Sequence, residues 1–312
     1  MTENKKHSLI VIVGPTAVGK TSVSIKLAKH LNGEIISADS RLLYRGMDIG
    51  TAKPTDEEMS GVPHYLIDVA DPDERWNLAV YQRKAYQIID AIHERGKLPF
   101  LVGGTGQYIR SIIEGWNIPP QRPDYQLRNA LNHWAEKIGA EGLYKRLKSI
   151  DPAAAENIDY RNKRRTVRAL EVMFKTGEKF SELRAKQECP YDPIILGMER
   201  SRDELYERVD QRIEQMLADG LVDEVRNLLD KGYPPDLSTM SAIGYGEIIR
   251  YLDGEISYEE AVTLIKRNTR TFVRRQANWF KPDDPRITWF EASTDMIDKM
   301  ELWIRSQLDD RE

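Results

Sequence analysis

Short apolar runs alternate with helical patterns through the first third of the chain. The continuous apolar run at residues 9–13 predicts a buried strand, and the apolar residues that follow it recur at helical spacing. Two further strands are predicted at residues 34–38 and 98–102, and a helical pattern follows from Tyr108. Because strands that alternate with helices usually pair in parallel, this pattern predicts an α/β fold with a parallel sheet flanked by helices.

The pattern changes after Asn117. Residues 118–123 read Ile-Pro-Pro-Gln-Arg-Pro, which predicts a rigid linker, and residues 124 to about 186 show helical periods with almost no strand pattern. A second linker at residues 189–193 precedes an apolar run at 194–198, which predicts a strand that rejoins the first sheet. The predicted parts are a first part of the core, an inserted all-helical domain and a mainly helical remainder of the core, at residues 1–117, 118–193 and 194–312.

Length and composition indicate a folded protein of two domains. The 312 residues exceed one average domain, and 40% hydrophobic with 31% charged residues is the balance of an ordinary globular chain. Cys189 is the single cysteine, which excludes an internal disulfide and a multi-cysteine zinc site. The apolar run at residues 9–13 is too short for a signal peptide or a membrane span, so we expect a cytoplasmic protein with no membrane association.

Basic residues concentrate in two segments although the formal net charge is −4. Residues 161–168 hold five cations, and residues 261–282 hold six cations and no acid, with Phe272, Trp279 and Phe280 interleaved. Such local concentrations are where a chain of this net charge could contact nucleic acid. Each segment alone is equally compatible with a solvated helical face.

A P-loop occupies the first predicted junction between strand and helix. Residues 14–21 read Gly-Pro-Thr-Ala-Val-Gly-Lys-Thr, a full match to the P-loop pattern in its required context. Backbone amides at the helix N-terminus surround phosphate oxygens, Lys20 adds a positive charge, and Thr21 can hold Mg²⁺. We therefore predict a P-loop NTPase-like sheet that binds a diphosphate group. The predicted diphosphate-binding residues are Gly14, Pro15, Thr16, Ala17, Val18, Gly19, Lys20 and Thr21.

Other features expected of a nucleotide hydrolase are missing. The chain has no Asn-Lys-x-Asp segment of the kind that binds guanine. The strand at 98–102 ends in Gly103-Gly104, where a hydrolase would place a metal-polarising acid. Asp68 is the competing candidate for that acid, and it is equally compatible with the end of a surface strand. Nucleotide hydrolysis is therefore not favoured.

Asp39 follows the second predicted strand. Ligands gather at the carboxyl ends of strands in open parallel sheets, so Asp39 is placed to meet a substrate near the P-loop. An aspartate at a strand end also serves as a helix cap or turn former, and position alone leaves both interpretations open.

Several motifs beyond the P-loop resemble one enzyme family. The segment at residues 39–54, Asp-Ser-Arg-Leu-Leu-Tyr-Arg-Gly-Met-Asp-Ile-Gly-Thr-Ala-Lys-Pro, is similar to a signature of the tRNA dimethylallyltransferases, also called tRNA isopentenyltransferases. The resemblance spans essentially the whole chain, through residues 101–108, 168–171, 208–212, 243–245 and 266–280. Leu42 stands where many members have Gln. The chain lacks the cysteines of a zinc finger, so it resembles the short bacterial form.

The resemblance implies a reaction and a catalytic set. Members attach a dimethylallyl group from dimethylallyl diphosphate to N6 of adenosine 37, beside the tRNA anticodon, and release diphosphate. Asp39 matches the general base, while Lys20 and Mg²⁺ on Thr21 would stabilise the leaving diphosphate. Thr105 and Arg212, or Arg208 in its place, match positions near the substrates. For these two arginines, pairing with Glu204, Glu207 or Asp210 is an equally compatible alternative.

The resemblance also implies a tRNA surface, partly in the inserted helical domain. Its predicted contacts are Asp39, Ser40, Arg41, Leu42, Thr105, Arg128, Arg164, Arg165, Thr166, Val167, Arg168, Arg274 and Arg275. No obligate protein partner is expected. The rival interpretations are a small-molecule kinase, a nucleotide-gated RNA-binding protein, and an adenylate isopentenyltransferase that uses free nucleotide. The two basic segments argue against the first and the last of these.

Overall fold

The computed structural model describes residues 6–118, 124–183 and 188–310. The chain divides into two compact units, one formed by Met1–Ile113 with Cys189–Glu312 and the other by Glu114–Glu188. Most of the first predicted linker and the end of the predicted helical segment lie outside the described residues, at 119–123 and 184–187.

A six-stranded parallel sheet forms the centre of the first unit, with strand order β3-β2-β4-β1-β5-β6. The strands are β1 (Ser8–Val13), β2 (Gly33–Ser37), β3 (His64–Tyr65), β4 (Leu98–Val102), β5 (Asp192–Glu199) and β6 (Ile287–Glu291). Five consecutive residues of β1 are buried, because helices cover both faces of a parallel sheet and leave no solvated side. The predicted α/β class with a parallel sheet is confirmed.

Thirteen helices are assigned within the described ranges. They are α1 (Lys20–His30), α2 (Asp56–Met59), α3 (Leu78–Glu94), α4 (Gly106–Ile113), α5 (Tyr125–Ile150), α6 (Pro152–Glu156), α7 (Lys163–Thr176), α8 (Phe180–Leu183), α9 (Arg202–Ala218), α10 (Leu221–Asp230), α11 (Tyr245–Leu252), α12 (Tyr258–Gln276) and α13 (Met296–Asp309). None of these helices has the length and apolar character that spanning a bilayer requires.

Two strands at the sheet edges were not predicted. β3 is only two residues long, too short to leave an alternating pattern. β6 lies in the segment expected to be mainly helical, where it pairs with β5 and places Trp289 over Gly197. A Cβ at Gly197 would stand 2.4 Å from the Trp289 ring, so the glycine makes room for this edge strand.

The second unit is helical throughout its described residues, and it has a hydrophobic core of its own. Leu131 and Leu143 of α5 pack with Leu170 of α7 in that core. Helix α5 is interrupted at Gly139, whose φ of 78° lies in the region that glycine adopts without steric cost.

Glu224 of α10 anchors the loop that follows β2. Its carboxylate accepts the backbone N–H groups of Asp48, Ile49 and Gly50 at 2.9, 2.7 and 3.1 Å. The buried Tyr245 hydroxyl donates to the same carboxylate, and burial together with this charge raises the pKa of the tyrosine. The backbone between residues 48 and 50 is therefore held by a single side chain from a distant helix.

Lys53 makes a second anchor for the same loop. Its side chain is 6% exposed and forms ion pairs with Asp48 and Asp68. Its Nζ also donates to the carbonyl of Tyr44 at 2.9 Å. Asp68, the sequence candidate for a metal-polarising acid, is thus an ion-pair partner of Lys53.

We expect the Glu224→Ala variant to lower the free energy of unfolding by roughly 2–3 kcal/mol, because three N–H donors lose a charged acceptor. Chemical denaturation followed by circular dichroism measures this. Asp223→Ala is the matched control, since Asp223 is 73% exposed and pairs only at the surface with Arg226. Equal stability of the two variants would contradict the anchoring role.

Candidate active site

The P-loop leaves β1 and leads into α1 as its pattern predicts. Gly14, Ala17 and Gly19 have φ angles of 150°, 67° and 109°. A Cβ at Gly14 would stand 2.7 Å from the Met198 carbonyl oxygen, so a side chain is excluded there. The first turn of α1 contains no acid, which leaves the helix N-terminus positive and suited to an anion.

Lys20 folds back over the loop that precedes it. Its Nζ donates to the carbonyls of Gly14 and Pro15 at 2.9 and 2.8 Å. The pKa of Lys20 is lowered to about 8, chiefly by burial; the charge of Asp39 opposes this effect, and the charge of Arg212 adds to it. Three of the four predicted catalytic side chains, Lys20, Asp39 and Arg212, therefore lie in one electrostatic environment.

Asp39 lies just beyond the end of β2 and shapes the turn there. Its Oδ1 accepts the backbone N–H of Arg41 at 3.0 Å, which is the turn-forming role that the sequence left open. The other carboxylate oxygen lies near the strand end of β4, since a Cβ at Gly104 would stand 3.8 Å from Oδ2. One oxygen serves the turn, while the other faces the Gly-Gly-Thr segment.

Thr105 joins the end of β4 to the end of β2. Its backbone N–H donates to Ala38 O at 3.0 Å, and its Oγ1 accepts the N–H of Ser40 at 3.0 Å. A Cβ at Gly103 would stand 2.3 Å from the Ala38 backbone, so these two strand ends meet only because residue 103 is glycine. Asp39, Ser40 and Thr105 are consequently neighbours.

The next two residues of the signature segment extend away from this cluster. Arg41 donates through Nη1 to the carbonyls of Ser238 and Thr239 at 3.2 and 3.5 Å, and Leu42 is half-buried. Arg41 is therefore held by the backbone between α10 and α11.

Arg208 and Arg212 approach the P-loop side of the site. Arg208 donates through Nε to the carbonyl of Ala17 at 2.8 Å. Burial lowers the pKa of Arg212, and the charge of Asp39 opposes that effect. Both arginines of the predicted pair are thus close to predicted catalytic or diphosphate-binding residues.

Two of the acids named as alternative partners for these arginines are engaged elsewhere. Glu204 pairs with Arg200, and Asp210 pairs with Arg270. The third, Glu207, accepts a hydrogen bond from Gln211 at 3.4 Å.

Sequence reasoning missed two side chains that hold the P-loop. Arg200 donates through Nε to the carbonyl of Val18 at 3.1 Å. Gln276 accepts the backbone N–H of Thr16 at 2.7 Å. Gln276 lies within the 266–280 motif, so its position was available from the sequence, but an uncharged amide gives no indication of its partner. Arg200 follows β5 directly and was overlooked among many arginines.

A buried carboxylate organises part of the predicted tRNA surface in the second unit. Glu171 accepts from Arg128 at 2.7 Å, from Arg168 at 2.8 Å and from the backbone N–H of Asp124 at 2.7 Å. Burial favours the neutral acid, but the hydrogen bonds from Arg168 and Arg128 outweigh it and lower the pKa of Glu171. Arg128 and Arg168 therefore compensate a buried charge, and each is still 32% exposed.

The remaining predicted contacts of α7 differ in exposure. Arg164 and Arg165 are exposed in its first turn, whereas Thr166 and Val167 are buried. Thr166 donates through its hydroxyl to the carbonyl of Asn162 at 3.3 Å, within the helix. The side chains of Thr166 and Val167 are therefore not exposed to an RNA, and a contact of these two residues with tRNA stays a prediction.

The basic and aromatic residues at the end of α12 are only partly exposed to solvent. Arg274 and Arg275 are exposed in the last turn of the helix. Trp279 packs against Gly106, and the Arg110 guanidinium lies 5.9 Å from the ring centroids of both Trp279 and Phe280. These two rings are already used in packing, whereas Phe272 is 43% exposed.

The fold and this arrangement define a P-loop enzyme of the transferase type. The P-loop supplies a phosphate site. β4, which lies between β1 and β2 in the sheet, is followed by glycine rather than by a metal-polarising acid, and the carboxylate of Asp39 lies at the same carboxyl end of the sheet.

Comparison with known proteins identifies the family. The IPP transferase family model matches residues 42–283, and the isopentenyl transferase model matches residues 7–71. A tRNA dimethylallyltransferase of Roseiflexus sp. (strain RS-1) is 48% identical, over 96% of this chain and 99% of its own length. One from Thermomicrobium roseum is 46% identical, over 93% of this chain and 88% of its own length.

Solved structures give the same result. A full-length tRNA isopentenylpyrophosphate transferase from Bacillus halodurans is 44% identical with a TM-score of 0.74, covering 98% of both chains. A eukaryotic dimethylallyltransferase acting on tRNA is 26% identical with a TM-score of 0.84, covering 98% of this chain and 80% of the other. This chain belongs to the IPP transferase family and is a prenyltransferase.

We expect affinity for an alkyl diphosphate to fall as the pH rises through about 8, because Lys20 loses its charge there in the free protein. The dependence should approach a tenfold change per pH unit, about one linked proton, and calorimetric titration of an unreactive alkyl diphosphate measures it. Lys20→Arg should flatten the profile, since arginine stays protonated. Lys26→Arg, an exposed change on the same helix, is the control. Parallel profiles for Lys20→Arg and the unmodified protein would contradict the role of Lys20.

Proposed function

We propose that this protein transfers a dimethylallyl group from dimethylallyl diphosphate to N6 of adenosine 37, beside the anticodon of tRNA, and releases diphosphate. Family membership and the activities named for its relatives support the tRNA substrate. The observation that carries the proposal is the position of Asp39, which adjoins Gly104 and Thr105 and lies in the field of Lys20 of the P-loop. A tRNA substrate also agrees with a cytoplasmic location.

The acceptor side of this reaction requires a base. The exocyclic amine of adenine is a poor nucleophile, because its lone pair is delocalised into the ring. A base must therefore take its proton as the new C–N bond forms. Asp39 has one oxygen committed to the turn at Arg41 and the other near Gly104, so a carboxylate oxygen is available on the side of Thr105.

The donor side requires charge stabilisation. As the allylic C–O bond breaks, positive character develops at carbon and negative charge builds on the departing diphosphate. P-loop amides, the N-terminus of α1 and Lys20 would stabilise that charge. Arg208 contacts the P-loop directly and Arg212 lies near Asp39, so both are suited to the same anion.

Mg²⁺ fits this site with a single protein ligand. The described residues contain no cluster of three or more His, Cys, Asp or Glu side chains that could hold a metal. Thr21 is exposed in the first turn of α1, and its hydroxyl could hold the ion together with diphosphate oxygens and water. The ion would neutralise charge on the leaving group.

Adenosine 37 must leave its stack to reach Asp39, at a cost of a few kcal/mol. Contacts elsewhere on the tRNA must offset that cost. Arg164 and Arg165 in the inserted helical domain, and Arg274 and Arg275 at the end of α12, are exposed cations suited to phosphates. Basic side chains in both units thus support an RNA-sized acceptor over a free nucleotide.

Mass analysis of nucleosides from treated tRNA tests the proposal. Purified protein, tRNA, dimethylallyl diphosphate and Mg²⁺ should yield adenosine 37 with one dimethylallyl group in place of an N6 hydrogen. Unaltered RNA together with transfer of phosphate from ATP to a small molecule would show a kinase instead. Prenylation of free adenylate but not of tRNA would show the adenylate enzyme.

Asp39 variants separate the base from the turn former. We expect Asp39→Ala and Asp39→Asn both to lower single-turnover prenylation by roughly 10²- to 10⁴-fold, because neither side chain accepts the proton. Asparagine keeps an oxygen for the Arg41 N–H, so it preserves the turn. Near-normal turnover of Asp39→Asn with a defective Asp39→Ala would reduce Asp39 to a structural role.

Neutralising Arg164 and Arg165 tests the RNA surface. We expect the double glutamine variant to bind tRNA more weakly. The magnitude of the slope of log affinity against log salt concentration should fall by about 1.4 to 1.8, because two phosphate contacts are lost. Affinity for dimethylallyl diphosphate should not change. Arg146 and Lys148 are exposed cations of α5 and give a matched double control. An unchanged salt slope would remove these two residues from the interface.

A further inference from the structure

Gln276 connects the P-loop to the end of β4. Its Oε1 accepts the backbone N–H of Thr16 at 2.7 Å, and its Nε2 donates to the carbonyl of Gly104 at 3.1 Å. The residue is 8% exposed although its neighbours Arg275 and Ala277 are exposed. Gln276 thus uses both ends of its amide on the backbone of two separate loops.

Space around this connection is tight. A Cβ at Gly104 would stand 2.5 Å from Gln276 Nε2 and 3.8 Å from Asp39 Oδ2. The backbone between Gly103 and Thr105 is therefore enclosed by Gln276 and Asp39, with no room for a side chain at residue 104. Gly104 thus lies between the amide of Gln276 and the carboxylate of Asp39.

The segment that follows Gln276 is itself held in place. Trp279 packs on Gly106, where a Cβ would stand 2.2 Å from the ring. Arg110 donates to the Trp279 carbonyl and covers its ring. The end of α12 is consequently attached to the start of α4, so Gln276 reaches the P-loop from a supported position.

We propose that Gln276 is a positioning residue for prenyl transfer, which sets the P-loop and its diphosphate relative to Asp39 and Thr105. This inference rests on the proposed function. The N–H of Thr16 is engaged by Gln276, so at this residue the P-loop is held by protein.

The reaction makes this distance important. Transfer requires the allylic carbon and the adenine nitrogen to approach within about 3–3.5 Å, and an error of about 1 Å costs roughly 10²-fold in rate. The diphosphate would fix the donor at the P-loop, which follows β1. Asp39, the proposed general base, follows β2, two strands away in the sheet, and adjoins Gly104. Gln276 joins the P-loop to Gly104, and Gly104 adjoins Asp39.

An amide suits this bridge because one end must accept and the other must donate. Glutamate could accept from Thr16 but would place a second acceptor against the Gly104 carbonyl unless it were protonated. Methionine has a similar length and could replace neither hydrogen bond well. The two substitutions therefore fail in different and distinguishable ways.

The test compares Gln276→Met and Gln276→Glu with the control Gln87→Glu, an exposed change on α3. We expect Gln276→Met to lower the single-turnover rate at saturating substrates by roughly 10- to 100-fold, with tRNA affinity within about twofold of the unmodified protein. For Gln276→Glu, the activity relative to the unmodified protein should rise as the pH falls, because the protonated acid regains a donor for Gly104. Thermal unfolding of each variant accompanies the kinetics.

Three results would overturn the inference. Unchanged single-turnover rates in both Gln276 variants would do so, and so would a Gln276→Glu activity ratio that is independent of pH. Loss of rate that matches the fraction of unfolded protein would show a purely structural role. An unmodified protein that prenylates no RNA would overturn the proposed function itself, and the positioning role of Gln276 would fall with it.

Discussion

Parallel pairing of β2, β4 and β1 is the constraint on which the site depends. Val102 of β4 is opposite Ser37 of β2 on one side and Ile12 of β1 on the other, so the three strands end at nearly the same level. The chain continues from these ends into Asp39, the Gly103-Gly104-Thr105 turn and the P-loop. Three segments that are distant in the sequence therefore meet at the carboxyl ends of these strands. The strand pairing brings them together and does not depend on contacts between their side chains.

Charged side chains at this end of the sheet are partly removed from water. Burial lowers the pKa values of both Lys20 and Arg212, and the carboxylate of Asp39 opposes the effect in each case. Lys20 and Arg212 carry two positive charges against the single negative charge of Asp39, so this group attracts an additional anion. A diphosphate that enters such a site gains from charges which already have reduced hydration.

Side chains from the C-terminal part of the chain hold the segments that the sheet brings together. Arg200 and Arg208 bind carbonyls of the P-loop, Gln276 binds one of its amides, and Glu224 binds the loop that follows Asp39. All four contacts are made to backbone atoms. The loops at the sheet edge can therefore be shaped for substrate, while side chains from elsewhere supply the hydrogen bonds that their backbone would otherwise lack.

Much of this could be read from the sequence, because some features are local. The buried run of β1, the P-loop at residues 14–21 and the strand at residues 98–102 carry their patterns within a few neighbouring positions. Asp39 was identified by its place after a strand and by the motif that follows it. The helical character of the inserted segment was likewise visible in its periodicity.

Only the tertiary structure shows which side chains hold the loops in place and which residues are buried. β6 was missed because an edge strand needs burial on only part of its surface, and the burial of Thr166 and Val167 is not visible in a motif. Most partners of Glu224, Gln276 and Glu171 lie far away in the sequence or are backbone atoms, and hydrogen bonds of that kind leave no periodic pattern. The sequence by itself determined the four central strands and the P-loop, since local hydrophobicity and glycine spacing specify them, whereas long-range packing added the edge strands and decided how the loops are held.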